Sequence, residues 1–273
     1  MRSTNKPRTS TILFLLAALS FLFAGCGLLS LVGIHPEYSS RDLLSNRDFR
    51  WLRDSSASCN IYYEAGSWAE RNPSYLRANA DSSTEHVLRM IGEPRFDRRL
   101  NYFIVSSRQR MRELVGEELN AVAFPGDFVL CAVANDSLKA IGVHEIFHLI
   151  TMSAWGSTET WINEGMAVYS DDRWWGVDLH TLAHYLQTNG KLPSLDDLSE
   201  HFGGGNVLIT YPASGSLMKF LYETYGRENV KILWQNGLDA FCEAVHKSKA
   251  DLAHDWLDRI GREDTGKVHY RIP

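Results

Sequence analysis

The stretch GVHEIFHLIT, residues 142–151, places two histidines four positions apart, with a glutamate directly after the first. Residues four apart in a helix lie on the same face, so the imidazoles of His144 and His148 would point the same way. The other positions are apolar enough for a buried helix, in which unpartnered polar groups are costly. This stretch therefore predicts a buried helix whose polar stripe, including Glu145, is satisfied by a bound ligand.

Zinc is the ligand that this spacing favours. Two imidazoles one turn apart can reach one ion, and a glutamate beside the first histidine can reach a water molecule at the metal. The alternative is a pair of core histidines beside a surface glutamate. The metzincin pattern is excluded, because its glycine and third histidine would fall on Thr151 and Ala154.

A third zinc ligand is expected in the next segment, STETWINEGMAVYSDD, residues 157–172. Glu164 lies in an apolar helical pattern, where a buried carboxylate needs a partner, and Gly165 leaves room for close helix packing. Asp171, Asp172 and His180 are the alternative third ligands.

These residues resemble the gluzincin metallopeptidases, and among them the peptidase MA-like domains. The resemblance rests on His144, Glu145 and His148, on WINEGMAVY at 161–169, and on KLPSLDDL and TYPASGSLMKFLYETYG further on. It covers roughly residues 55–240. Fifteen residues separate His148 from Glu164, a few fewer than in the best-known gluzincins.

The resemblance implies a zincin fold and a zinc-dependent peptidase. A small sheet would lie beside the active-site helix, with DFVLCAV (127–133) as the edge strand along the cleft for a peptide or protein substrate. Glu145 would act as general base on a water molecule activated by the metal, and Tyr211 would stabilise the oxyanion. The alternative for Tyr211 is a packed tyrosine at the start of a helix. Asn163 and Asp171 are candidate acceptors for the second nitrogens of the ligand histidines.

The rest of the chain favours an α+β fold. Strands are predicted at CNIYYEAG, LNYFIVSS and DFVLCAVA, and helices at SYLRANADSSTEHVLRMIG and SRQRMRELVGEEL. From Ser137 onward the pattern is almost entirely helical, and the HExxH helix is predicted to begin near Ser137 with Asn135 or Asp136 as its cap. Core packing is the favoured interpretation of Trp174 and Trp175, and the alternatives are a substrate subsite or contact with the membrane.

Residues 1–25 read as a secretory signal, with a basic start, a short apolar run and then AGCG. The end of the signal resembles a bacterial lipobox, which would make Cys26 a lipidated first residue and the protein an extracytoplasmic, membrane-anchored lipoprotein. In a host with two membranes, the outer membrane is expected. The alternatives are a plain signal peptide or an uncleaved anchor. Residues 26–55 would form a tether and 56–273 one peptidase domain.

Composition excludes one class of partner and leaves two functions open. The formal net charge is −5, so nothing resembles the basic footprint of a nucleic-acid-binding protein.

Outside the cytoplasm Cys59, Cys131 and Cys242 could form one disulfide, although buried free cysteines are the simpler interpretation. His180 and His184 lack a glutamate after the first histidine and are predicted to be an exposed or half-buried pair on a helix. The alternative to a peptidase is a lipoprotein that keeps the fold as a binding or assembly factor.

Overall fold

A five-stranded mixed sheet forms the first half of the molecule, as described by a computed structural model for residues 37–266, 268 and 270. The strands are β1 (Trp51–Ser55), β2 (Cys59–Glu64), β3 (Leu100–Val105), β4 (Ala121–Phe124) and β5 (Val129–Val133), in the order β1-β2-β3-β5-β4. The three inner strands are parallel, and both edge strands run antiparallel to their neighbours. The predicted α+β class is confirmed.

Helices cover both faces of the sheet and make up most of the second half. They are α1 (Ser40–Ser45), α2 (Trp68–Arg71), α3 (Pro73–Ile91), α4 (Arg108–Val115), α5 (Val143–Trp155), α6 (Thr160–Asp171), α7 (Leu179–Thr188), α8 (Leu195–His201), α9 (Val207–Val245) and α10 (Lys249–Ile260). A small hairpin, β6 (Arg173–Trp174) and β7 (Val177–Asp178), follows α6. Breaks at Gly226 and Gly237, where φ is +80° and +83°, divide α9.

The sheet separates two hydrophobic clusters, because successive side chains of a strand point to opposite faces. Tyr102 on β3 faces the larger cluster, which includes α3, α5 and the helices of the second half. Its neighbour Phe103 faces the smaller cluster, which α1 and α4 cover. The helix that carries the two histidines therefore packs on the sheet within the main core.

The strand before α5 is an inner strand and does not form the sheet edge, which corrects our expectation for residues 127–133. A turn at Pro125–Asp127 reverses the chain, so β4 and β5 form an antiparallel hairpin with β4 outermost. Every residue of β5 is buried, as expected for an unbroken apolar run paired on both sides. The edge nearest α5 is therefore β4, Ala121–Phe124.

Helix α5 begins at Val143, six residues later than predicted, and neither Asn135 nor Asp136 caps it. The Asn135 side chain instead accepts hydrogen bonds from the backbone N–H groups of Ser137 and Leu138, at 2.9 Å and 2.8 Å. The chain then folds back on the end of β5, and Gly142 caps the helix in an extended conformation. The later start places the HExxH motif in the first two turns.

Residues 38–55, which we predicted to be part of a tether, pack onto the fold where the structure describes them. β1 pairs with β2 along its whole length, and Leu43 of α1 is buried in the smaller cluster. The signal sequence and Cys26 lie outside the described residues. Within residues 37–266, no helix combines the length and apolarity needed to cross a membrane. Cys59, Cys131 and Cys242 are free thiols, the first two fully buried.

Helices α6 and α9 approach closely at two glycines. A Cβ on Gly165 would lie 2.7 Å from Met218 Cγ and 2.9 Å from the backbone oxygen of Ser214. Gly215 of α9 meets Val168 in the same way. The Ser214 hydroxyl also donates to the carbonyl of Trp161 at 2.6 Å. As predicted, Gly165 permits close helix packing, and this contact holds α6 against the core.

We expect Gly165→Ala to lower the free energy of unfolding by about 2–3 kcal/mol, because the added methyl group meets the backbone of α9 and overpacks the contact. Chemical denaturation followed by circular dichroism measures the change. Gly204→Ala is the matched control, since a Cβ there has no atom within 4 Å. Equal stability of the two variants would contradict close packing at Gly165.

Candidate metal centre and cleft

Two helices bring three potential metal ligands to one point. His144 and His148 lie one turn apart on α5, and their Nε2 atoms are 3.1 Å from each other. Glu164 comes from the first half of α6, with its Oε2 atom 3.4 Å from His144 Nε2 and 3.6 Å from His148 Nε2. Among the described residues, these are the only three His, Cys, Asp or Glu side chains that form such a cluster.

The triangle of ligand atoms has the dimensions of a tetrahedral zinc site. Zinc bonds to imidazole nitrogen and carboxylate oxygen at about 2.0–2.2 Å, and tetrahedral angles then separate the ligand atoms by about 3.3–3.5 Å. The three observed separations are 3.1, 3.4 and 3.6 Å. The donor set, two imidazoles and one carboxylate, is also one that catalytic zinc sites use. These residues therefore fit a zinc ion.

The environment of Glu164 also favours a cation. Its side chain is 1% exposed, and its Oε2 atom is buried without a hydrogen-bond partner among the described residues. Burial acts to raise the pKa of Glu164, but the charges and N–H groups of His148 and His144 outweigh it and lower the pKa to about 2. The carboxylate is therefore negatively charged at neutral pH, and a buried negative charge is costly unless a cation, either a metal ion or a protonated histidine, lies beside it.

Asn163 fixes the orientation of His148. The Nδ1 atom of His148 lies 3.0 Å from the amide oxygen of Asn163, and both side chains are buried. Because an amide oxygen only accepts, Nδ1 carries the hydrogen and Nε2 is directed towards Glu164. Asn163 is thus one of the two acceptors predicted from the sequence. In metal sites a histidine ligand typically donates its other ring N–H to an acceptor in this way.

A cleft opens at the first turn of α5. His144 and Glu145 line it, together with the start of the edge strand β4 and residues 138–142. The lining is completed by four residues from the end of α6 and the hairpin, Asp171, Arg173, Trp174 and Trp175. Glu145 is 5% exposed and still borders this cleft, so a substrate there would meet the glutamate beside the first ligand histidine.

The three alternative ligands lie elsewhere or have other partners. Asp171 borders the cleft and accepts a hydrogen bond from the backbone of Val143, at the start of α5. Asp172 accepts from the ammonium group of Lys219 at 2.5 Å. His180 is buried and bonded through Nδ1 to the Ser216 hydroxyl at 2.9 Å. The structure brings Glu164, and none of these three, to the two histidines.

The structure places Tyr211 in an aromatic cluster and not on the cleft wall. Its side chain is 1% exposed, and its ring packs on Phe202 and Trp174 with centroid separations of 5.3 and 5.8 Å. Trp174 in turn lines the cleft. Tyr211 therefore contacts the site through one intervening side chain.

Two of the weaker predictions need correction. Trp174 is buried, as predicted, but Trp175 is exposed and lines the cleft. The tight turn at Trp175–Gly176 determines the position of Trp175, and the glycine was the sequence signal for that turn. His180 is fully buried, whereas His184 is half-buried and bonded to the backbone oxygen of Glu263 at 2.7 Å. These two histidines have separate partners.

The chain matches no family model, and no curated protein is significantly similar to it in sequence. The assignment of a function therefore depends on the residues of the site.

Buried His180 makes stability depend on pH. Burial and, to a smaller extent, Arg259 and Lys219 lower its pKa to about 4, whereas an unfolded histidine titrates near pH 6.5. The unfolded chain binds the extra proton between these values, so the contribution of neutral His180 is complete above about pH 6.5 and is lost as the pH falls towards 4. The full loss is on the order of 3 kcal/mol.

We therefore expect His180→Gln to flatten the decline in unfolding free energy between pH 6.5 and 4. Urea denaturation at half-unit pH intervals measures the slope. His254→Gln is the control, because the His254 side chain is 71% exposed on α10. An unchanged slope in His180→Gln would show that His180 is not the source of the acid sensitivity.

Proposed function

We propose that this protein is a zinc-dependent peptidase of gluzincin type. The observation that carries the proposal is the triangle of His144, His148 and Glu164 with a second glutamate, Glu145, beside it at the mouth of a cleft. A purely structural histidine pair would not need a buried carboxylate oxygen without a hydrogen bond. A site that only stores zinc would not need Glu145 in the cleft.

Each residue of the site would have a specific role in binding the metal or in proton transfer. His144, His148 and Glu164 would hold the metal, and Asn163 would keep His148 in the required tautomer. When bound, zinc lowers the pKa of a water molecule to about 7 and polarises a carbonyl group. The Glu145 carboxylate would accept the proton of the attacking water and deliver it to the leaving amine.

The position of the cleft favours an extended peptide as substrate. Its lining includes Asn120 and Ala121, where edge strand β4 starts, and residues 138–142. An extended chain can add to such an edge by main-chain hydrogen bonds, which bind peptides of many sequences. This arrangement would place a peptide bond beside Glu145 and the first ligand histidine.

Tyr211 as oxyanion donor stays a prediction from the family resemblance, because its ring packs behind Trp174 and does not line the cleft. The variant Tyr211→Phe distinguishes an oxyanion donor from a packing residue. Loss of an oxyanion donor lowers kcat about 10²–10³-fold with little change in KM, whereas the loss of a packing residue lowers stability and leaves kcat unchanged.

The predicted signal at residues 1–25, with Cys26 directly after it, supports an extracytoplasmic, lipid-anchored location, with protein or peptide substrates in the cell envelope. Fractionation with and without Cys26→Ser tests the anchor. We expect the parent in the membrane fraction and the variant released from it.

A cleavage assay tests the proposed activity. The zinc-loaded protein is incubated with a mixture of internally quenched peptides, then with excess chelator, and then with zinc restored. We expect cleavage that the chelator abolishes and zinc restores. A folded, zinc-loaded protein that cleaves none of the peptides, but binds them or other envelope proteins, would favour the binding or assembly factor.

A further inference from the structure

The hairpin that follows α6 contains a tryptophan in a turn position that disfavours bulky residues. Trp175 and Gly176 connect β6 to β7, and both have positive φ, +51° and +81°. Two-residue hairpin turns with two positive φ angles strongly favour asparagine, aspartate or glycine. A bulky residue with positive φ is strained, and strained residues concentrate at functional sites.

Packing in the core does not account for this tryptophan. Trp175 is 60% exposed, the largest value among the exposed large hydrophobic side chains that the structure describes. Its ring approaches Tyr270 with a centroid separation of 5.8 Å, and the residue lines the cleft that His144 and Glu145 also line. The strained turn therefore presents an aromatic ring to the cleft.

The hairpin is fixed at its base. The ammonium group of Lys219, a largely buried residue of α9, donates to Asp172 at 2.5 Å and to Asp178 at 3.1 Å. These aspartates flank the hairpin on both sides. The Arg173 guanidinium donates to the carbonyl of Gly176 at 2.8 Å across the turn. Trp175 is thus held on a braced element, as side chains that recognise a ligand are.

The surrounding wall is mostly apolar. Ala121, Leu138, Ile141 and Trp174 line the same cleft. An exposed indole that shares the cleft with these apolar residues suits a large apolar or aromatic side chain, which gains from burial and from ring stacking.

We propose that Trp175 determines substrate specificity, as the wall of a subsite that takes a large apolar or aromatic side chain of the peptide. This inference rests on the proposed peptidase function and names its substrate class. A pocket of this kind separates large from small side chains by about 10- to 100-fold in kcat/KM.

The test compares two peptide series that differ at one position, Phe or Ala, at every site around the cleaved bond. The full-length, zinc-loaded parent is expected to prefer Phe at one position by about 10-fold or more. Trp175→Ala and Trp175→Gly should remove this preference by raising KM for the Phe peptides. Trp175→Phe should retain most of it. Leu257→Ala, which removes an exposed apolar side chain of α10, is the matched control.

Trp175→Gly also guards against misfolding, because glycine accepts the positive φ and should unfold at a higher temperature than Trp175→Ala. An unchanged preference for Phe in both variants, with cleavage intact, would overturn the proposal.

Failure of the peptidase function is distinguishable from failure of the subsite. If the parent cleaves no peptide, the peptidase proposal fails, and calorimetric titration with the same two peptides tests Trp175 by binding alone. Tighter binding of the Phe peptide that Trp175→Gly abolishes would support the subsite. Equal dissociation constants for both peptides, or a difference that survives Trp175→Gly, would overturn it.

Discussion

Glu145→Gln is expected to lower the rate of peptide hydrolysis by about 10²–10⁴-fold, the usual contribution of a general base. Glutamine has nearly the same shape but cannot accept a proton at neutral pH. Glu145 lies at the cleft outside the ligand triangle, so the variant should retain its zinc. The measurement is kcat for one quenched peptide, with zinc determined in the same samples.

The control for this variant is Glu85→Gln, whose side chain is 71% exposed on α3. It should cleave peptides at the parental rate. If Glu145→Gln retained zinc and cleaved at the parental rate, Glu145 would not be the base. If it lost zinc, Glu145 would support the metal site and the mechanism would need another proton acceptor.

Glu164→Ala is expected to weaken zinc binding more than 100-fold. Loss of an outer partner of a ligand already weakens metal binding 10- to 100-fold, and Glu164 supplies the one carboxylate of the triangle. The dissociation constant is measured by competition with a chromogenic chelator. Asn163→Ala, which removes only the partner of His148, should show the smaller effect.

The alternative third ligands provide matched controls for Glu164. Asp171→Asn, Asp172→Asn and His180→Gln should bind zinc with the affinity of the parent, since none of these side chains belongs to the cluster. If Glu164→Ala kept full zinc affinity and one of these three variants lost it, the residue changed in that variant would be the third ligand. This result would contradict the site described above.

The ligand set could be predicted from local sequence because helical geometry determines it. Positions four apart on α5 must share a face, and a carboxylate in the apolar pattern of α6 must find a partner when it is buried. Gly165 likewise signals close packing of α6 in advance. Sequence alone could not choose between Glu164 and Asp171, Asp172 or His180, because that choice depends on how α6 packs against α5.

The mistaken predictions share one cause, which is backbone pairing between separate segments. The side chain of Asn135 could have capped a helix or closed a turn, and only pairing of residues 139–140 with the end of β5 selects the turn. The edge position of β4 depends on strand order, which local periodicity does not encode. Trp175 was predicted to be a core residue, but the turn that connects β6 to β7 leaves it exposed at the cleft.

The metal content of the full-length protein tests the central claim most directly. The protein is purified, stripped with chelator, reloaded with zinc, desalted and analysed by plasma mass spectrometry, while circular dichroism verifies its fold. We predict about one zinc per chain, because one cluster of three ligands is present among the described residues. A folded protein that retains no zinc after reloading would show that protein groups alone satisfy His144, His148 and Glu164, and would contradict the proposed function.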